Sequence, residues 1–262
     1  MDTTTNVLEF MKKSASFYNK DVGNLYEQDD VFCDKCNNRG GFLEIRMIDL
    51  GDRKEPYEFY VECECQMTRA NLRSNQKRTE ASGLKDLLTK SFDNFNANTT
   101  ELKEIKAKAF ENVDVKNWFF IGGQSGAGKS HISAAIAKTL LNKRFQVKYS
   151  IWLNDFRELN FLQNERGQYN ARIDQLKNVQ VLLIDDFFKT KRGEEISNAD
   201  VQVAYEVLNH RYNENKKTII SSELTINEIM KLDEALAGRI VEKGKPYIFN
   251  ISRDVKKNYR LK

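Results

Sequence analysis

The stretch Trp118-Phe-Phe-Ile-Gly-Gly123-Gln-Ser-Gly-Ala-Gly128-Lys129-Ser130 decides the fold. A short apolar run bounded by glycine reads as a buried strand. The next eight residues satisfy G-x4-G-K-[ST], and Ile132, Ala135, Ile136 and Leu140 then recur at helical spacing. Strand, glycine loop and helix in that order form a phosphate cradle. The glycines let successive N–H groups face an anion, and the helix N-terminus adds its partial positive charge. Gly123, Gln124, Ser125, Gly126, Ala127, Gly128, Lys129 and Ser130, with His131 directly after, are therefore the expected nucleotide-binding residues. Lys129 is expected to reach the β- and γ-phosphates of ATP, and the Ser130 hydroxyl to ligate Mg2+.

Outward from this loop, short apolar runs alternate with helical patterns. Residues 145–151, 179–184, 218–222 and 247–251 read as further strands, and 201–209 as a helix. Such alternation predicts an α/β fold with a five-stranded parallel sheet between helices. The run at 179–184 ends in Asp185-Asp186, 56 residues after Lys129. Asp185 is expected to orient the magnesium shell and Asp186 to polarise the attacking water. Many hydrolytic P-loop ATPases carry Glu at the second position, so the shorter acid predicts slow turnover. Strand 218–222 ends in Ser221-Ser222-Glu223, where Ser222 is a candidate γ-phosphate sensor, although polar residues also end strands for capping reasons. Arg239 follows a small-residue turn and is either a surface ion-pair arginine or a finger that enters a neighbouring subunit's ATP site.

All four cysteines lie between Cys33 and Cys65. Cys33-x2-Cys36 and Cys63-x-Cys65 are separated by 26 residues, and two close thiolate pairs brought together by a hairpin suit a structural Zn2+ site. An iron–sulfur cluster or free thiols are the competing readings. After the second pair, Arg69, Arg73 and Lys77 recur every fourth residue with Arg78 adjacent, which reads as a solvated basic helix face or a nucleic-acid contact. The chain end (Lys256, Lys257, Arg260, Lys262) is basic too.

With 40% hydrophobic and 31% charged residues and only two prolines, the 262-residue chain is neither low-complexity nor wholly disordered. No apolar stretch is long enough to span a bilayer and no signal peptide is evident, so the expected setting is cytoplasmic without a membrane partner. A net charge of +4 is too small for a polycationic coat, so phosphate contacts are expected to be local.

The cysteine pairs, Ser91-Phe92-Asp93-Asn94-Phe95, Gly123–Ser130, Ile184-Asp185-Asp186, Ser221-Ser222-Glu223-Leu224 and Gly238-Arg239-Ile240 together resemble replicative helicase loaders of the DnaC/DnaI type. These are AAA+ ATPases related to the initiator DnaA, and the resemblance runs from about Cys33 to the C-terminus. It implies an N-terminal module that contacts a DnaB-type hexameric helicase. The core it implies binds ATP and single-stranded DNA and self-associates in a ring or spiral. Lys129 and Ser130 then form the Walker A pair, Asp185 and Asp186 the Walker B pair, and Arg239 the finger. Arg260 matches a second sensor. An inserted helical segment at 153–176 would offer Arg157, Arg166 and Arg172 to DNA.

The expected organisation is 1–75 as a zinc-binding, helicase-interacting module, 76–100 as a linker, and 101–262 as an ATPase core without a full C-terminal lid. The competing functions are a transposition helper ATPase that acts with a transposase, and a P-loop small-molecule kinase. A zinc adaptor with a vestigial ATPase core is the third. The cysteine module disfavours the helper. The kinase lacks an obvious lid between Lys129 and Asp185.

Overall fold

A computed structural model describes residues 3–21, 32–162 and 165–252. The chain divides into two compact units, Met1–Ser74 and Asn75–Lys262. In the first, helix α1 (Thr3–Lys20) is followed by an antiparallel hairpin of β1 (Gly41–Asp49) and β2 (Lys54–Glu62). Asn19 ties α1 to β1 through a pair of hydrogen bonds with the backbone of Leu43 (2.9 and 2.8 Å). The chain passes from one unit to the other within α2 (Glu64–Ser82), whose run without Gly or Pro gives the predicted helix.

The second unit continues through a 3-10 turn (Lys85–Thr89) to α3 (Thr100–Asn112), β3 (Phe119–Gly123), α4 (Lys129–Asn142) and β4 (Val147–Ile151). A π-turn (Trp152–Phe156), α5 (Arg157–Leu162) and α6 (Arg166–Asn178) lead into β5 (Val181–Phe187). The remainder is α7 (Asn198–Asn213), β6 (Lys217–Ser222), α8 (Ile226–Leu232), α9 (Glu234–Gly244) and β7 (Ile248–Ile251). The five strands β3 to β7 form one parallel sheet in the order β4-β5-β6-β3-β7. The predicted five-stranded parallel sheet is therefore present, and β6 lies between the P-loop strand and the acidic strand.

Alternation along the strands divides the core between the two faces. Phe119, Ile121, Leu183 and Ile219 pack with Ile132, Ile136 and Leu140 of α4 on one side. Phe120, Leu182, Ile184 and Ile220 pack with Trp152, Phe156, Val207 and Leu236 on the other. Leu84, Phe92 and Phe95, from the segment ahead of α3, are buried in the first of these clusters. Burying a side chain of this size contributes about 1.5–3 kcal/mol, so the segment is held firmly against α3 and α4. Among the described residues no helix is long and apolar enough to cross a membrane.

Candidate nucleotide site and cysteine centre

The P-loop joins the C-terminal end of β3 to the N-terminus of α4. Gly123 and Gly128 sit at φ of 109° and 87°, in the left-handed region that a side chain resists. A Cβ at Gly123 would also strike the Ile251 carbonyl, and one at Gly128 would lie 2.9 Å from Phe95 Cε2. Helices α7 and α8 begin with capping boxes, whereas α4 begins at Gly128 with no side-chain cap. Its first amides thus face the loop without a side-chain acceptor, as an anion site requires.

Lys129 is buried, and its Nζ donates to the carbonyls of Gly123 (2.8 Å) and Gln124 (2.7 Å). Burial pulls its ammonium below the usual lysine value, against the attraction of Glu223, Asp186 and Asp185. The Ser130 hydroxyl donates to Asp185 Oδ1 at 2.8 Å. Asp185 also receives the Ser221 hydroxyl on the same oxygen and the Tyr149 phenol on Oδ2 at 3.2 Å. Ser130 and Asp185 form a hard oxygen pair of the kind that holds Mg2+ beside a phosphate. Burial and the Asp185 charge push the Tyr149 phenol well above its ordinary range, so it remains a donor.

In a regular strand, adjacent residues point to opposite faces. Here β5 carries a bulge between Ile184 and Phe187, and Asp186 adopts φ of 54°. The extra residue re-aims the second acid, so Asp186 lines the same pocket as Ser125, Gly126, Gly128, Lys129 and Ser130. Lys189 and Glu223 complete that wall, with Lys189 Nζ 2.8 Å from Asp186 Oδ2 and 3.3 Å from Glu223 Oε1. On the opposite side Asn94, Phe95 and Asn96 approach the loop. His131 Nε2 lies 3.0 Å from the Ser91 carbonyl and 2.9 Å from Asn94 Oδ1, and its ring meets Phe95 edge-on at 5.3 Å.

The structure thus brings the P-loop, Asp185, Asp186 and His131 together. Ser222 is elsewhere: its buried hydroxyl donates to the Phe187 carbonyl at 2.7 Å, and Ser221 is the serine beside Asp185. Arg239 lies outside the pocket, bonded to Asn209 Oδ1, the Ala235 carbonyl and the Tyr205 hydroxyl at 2.8–2.9 Å and stacked on the rings of Tyr205 and Tyr212. Arg157 pairs with Glu194 and Asp200, and Arg172 with Glu158, while Arg166 is exposed. Arg260, Lys256, Lys257 and Lys262 lie outside the described residues. Sequence reasoning missed Tyr149 and Lys189, and it singled out Ser222 where Ser221 is the strand-end serine that meets Asp185. A tyrosine in the neighbouring strand and a lysine three residues after Asp186 were the available signals.

In the first unit the hairpin carries the two cysteine pairs together. All four sulfurs lie within 4.8 Å of one another, with Cys33–Cys63 at 3.8 Å and Cys36–Cys65 at 3.5 Å. A tetrahedron of Zn–S bonds of 2.3 Å has edges of about 3.8 Å, so the donor set fits a closed four-thiolate metal centre. Burial disfavours ionisation of Cys33, but the Cys36 and Lys35 N–H groups hold its thiol down at about 7. Asn38 Oδ1 accepts from the Cys33 N–H (2.9 Å) and from Arg69 Nη2 (2.8 Å). The expected basic stripe is corrected here: Arg69 is 5% exposed and props the cysteine turn from within, leaving Arg73 and Lys77 exposed.

Comparison with known proteins gives concordant matches. The family model described as IstB-like ATP binding protein matches residues 54–244. The phage-like element PBSX protein XkdC of Bacillus subtilis (strain 168) is 29% identical over 225 residues, which cover 82% of this chain and 80% of XkdC. Among solved structures, DnaI superposes with a TM-score of 0.51 at 23% identity, covering 64% of this chain and 93% of that one. The DnaC helicase loader superposes with a TM-score of 0.54 at 18% identity, covering 65% and 99%. Likeness at these identities is likeness of fold.

Proposed function

Because the chain belongs to the IstB-like ATP-binding protein family, we propose that it is an ATPase that loads a DnaB-type hexameric helicase onto single-stranded DNA. The observation that carries this reading is the four-thiolate cluster in a unit of its own, ahead of a complete P-loop site. Such a module suits an adaptor that grips a protein partner while the ATPase core responds to nucleotide. The cysteines hold zinc in this reading. The metal's part is structural, because four thiolates leave no position for a reacting water.

Ser130 and Asp185 would hold Mg2+, which would supply positive charge to the phosphates. Lys129 exchanges the Gly123 and Gln124 carbonyls for phosphate oxygens. Asp186, re-aimed by the β5 bulge, accepts a hydrogen bond from the attacking water. Arg239 leaves its seat on Tyr205 when a second copy docks, and it reaches that copy's site. ATP holds a DNA-gripping, helicase-bound state, and hydrolysis releases it, so turnover is slow and rises with DNA.

The family's IstB label keeps a transposition helper as the second reading. Mixing the full-length protein with a purified hexameric replicative helicase, with and without ATP, separates the two in gel filtration. A helicase complex lost in Cys33→Ser/Cys36→Ser supports the loader. Failure to bind the helicase, with ATP-dependent coating of double-stranded DNA, overturns it in favour of the helper.

A further inference from the structure

The phosphate end of the nucleotide site is lined by an excess of acids. Asp186 and Glu223 face the pocket, and Asp185 lies behind Ser130. Beyond the Mg2+ proposed for Ser130 and Asp185, Lys129 has to offset both Asp186 and Glu223 beside a ligand that is itself a polyanion, and like charges repel that ligand from the pocket.

Lys189 changes that balance. Its ammonium bridges Asp186 and Glu223, the two acids that line the pocket, and its own side chain is part of the pocket wall. The placement is built rather than incidental. Phe187 and Phe188 are buried against Trp152, with ring centroids at 5.0 and 4.9 Å. Phe188 turns the chain at φ of 60°, and the Lys189 N–H donates to the Asp186 carbonyl at 2.9 Å. This tight return directs the lysine back over the acid it follows. Burial lowers the affinity of the ammonium for its proton, but Asp186 and Glu223 more than offset this and hold it above the usual lysine value. The residue is therefore charged at neutral pH.

Building on the ATPase reading above, we propose that Lys189 is a second phosphate-binding cation of this site, which exchanges Asp186 for the γ-phosphate and so lets the protein distinguish ATP from ADP. Without nucleotide, the Lys189 ion pair masks Asp186 as a hydrogen-bond acceptor. A γ-phosphate carries more charge than one carboxylate and competes for the ammonium. Once Lys189 moves, Asp186 is free to accept a hydrogen bond from water, while Glu223 keeps Lys189 at the pocket wall. ADP offers no γ-phosphate, so Lys189 stays on Asp186. Ser222, the residue expected to sense that phosphate, is committed to the Phe187 carbonyl.

The test is the affinity of the full-length protein for ATP and ADP, both with Mg2+, in wild type, Lys189→Met, Lys189→Arg and Glu223→Gln. Lys189→Met is expected to weaken ATP about tenfold, equivalent to about 1.4 kcal/mol, while ADP changes less than about twofold. Lys189→Arg recovers most of the preference, and Glu223→Gln tightens ATP by freeing the ammonium. A lysine that only braces the loop would move both nucleotides together, so an unchanged ATP/ADP ratio in Lys189→Met overturns the proposal while wild-type ATP binding preserves the ATPase reading. A wild-type protein that binds neither nucleotide overturns both.

Discussion

The Ser130 hydroxyl donates to Asp185 at 2.8 Å, joining the first turn of α4 to the end of β5 across 55 positions of sequence. The contact depends on β6 intervening between β3 and β5 and supplying Ser221 to the same carboxylate. Asp185 is thus held by hydroxyl donors from three separate elements. Asp185→Asn keeps the shape but removes the negative charge proposed to hold a divalent cation. The expected result is a loss of the Mg2+ dependence of ATP binding, read by calorimetry with and without chelator. A variant whose binding is as magnesium-dependent as wild type would place the metal elsewhere.

Asp186 is a different kind of acid, because its backbone sits at φ of 54°. Asn tolerates this region better than most residues, so Asp186→Asn is expected to fold with an unchanged melting temperature. Removing the carboxylate proposed to polarise water is expected to slow hydrolysis by about 10²-fold or more while ATP stays bound. Steady-state turnover beside equilibrium binding reads both. Hydrolysis at the wild-type rate would assign the water to another group, of which Glu223, the other acid lining the pocket, is the candidate.

These two acids also show how much of the site was legible in sequence. The P-loop and the run ending at Ile184 were readable because each is a local pattern, and the β-α alternation followed from apolar periodicity. The β5 strand nevertheless runs on to Phe187, since the bulge lets it carry both acids before it ends. That bulge shifts the pairing with β6 by one residue, and with period-two side chains one residue decides which face is presented. Ahead of the bulge the Ile184–Ile220 register already sets Ser221 beside Asp185, and beyond the bulge Ser222 pairs with Phe187. Arg69 was misread for a related reason. A repeat every fourth residue defines a helix face, but which face packs is decided by Asn38, 31 residues away. Tyr149 and Lys189 reach the site through sheet order and a tight turn, and neither leaves a motif.

His131 gives the site a pH dependence. Burial, with Lys90 and Lys106 nearby, depresses its imidazole below the usual value of 6.5, despite the Ser91 carbonyl. Because the folded-state value is depressed, its contribution to stability is fully present above pH 6.5 and is lost progressively as pH falls below it. The melting temperature is expected to fall between pH 6.5 and 5.5 more steeply in wild type than in His131→Asn. Parallel slopes would show that the imidazole does not titrate differently on folding.

The sulfur spacing fits a metal cage, and the zinc proposed for it would be needed by the first unit to fold. Cys33→Ser/Cys36→Ser removes one of the two thiolate pairs, and the protein is expected to lose about one equivalent of zinc, measured by elemental analysis. The core has its own buried clusters, so ATP binding is expected to persist. Unchanged metal content would exclude the cage.

The most direct measurement of the loader reading uses a closed ring on a closed circle. A hexameric helicase cannot thread circular single-stranded DNA unless something opens or assembles the ring. Helicase retained on such circles after a high-salt wash is expected with wild-type protein and ATP, and to fall to background with Lys129→Ala. Equal retention with wild type, Lys129→Ala and no added protein would contradict an ATP-driven loader.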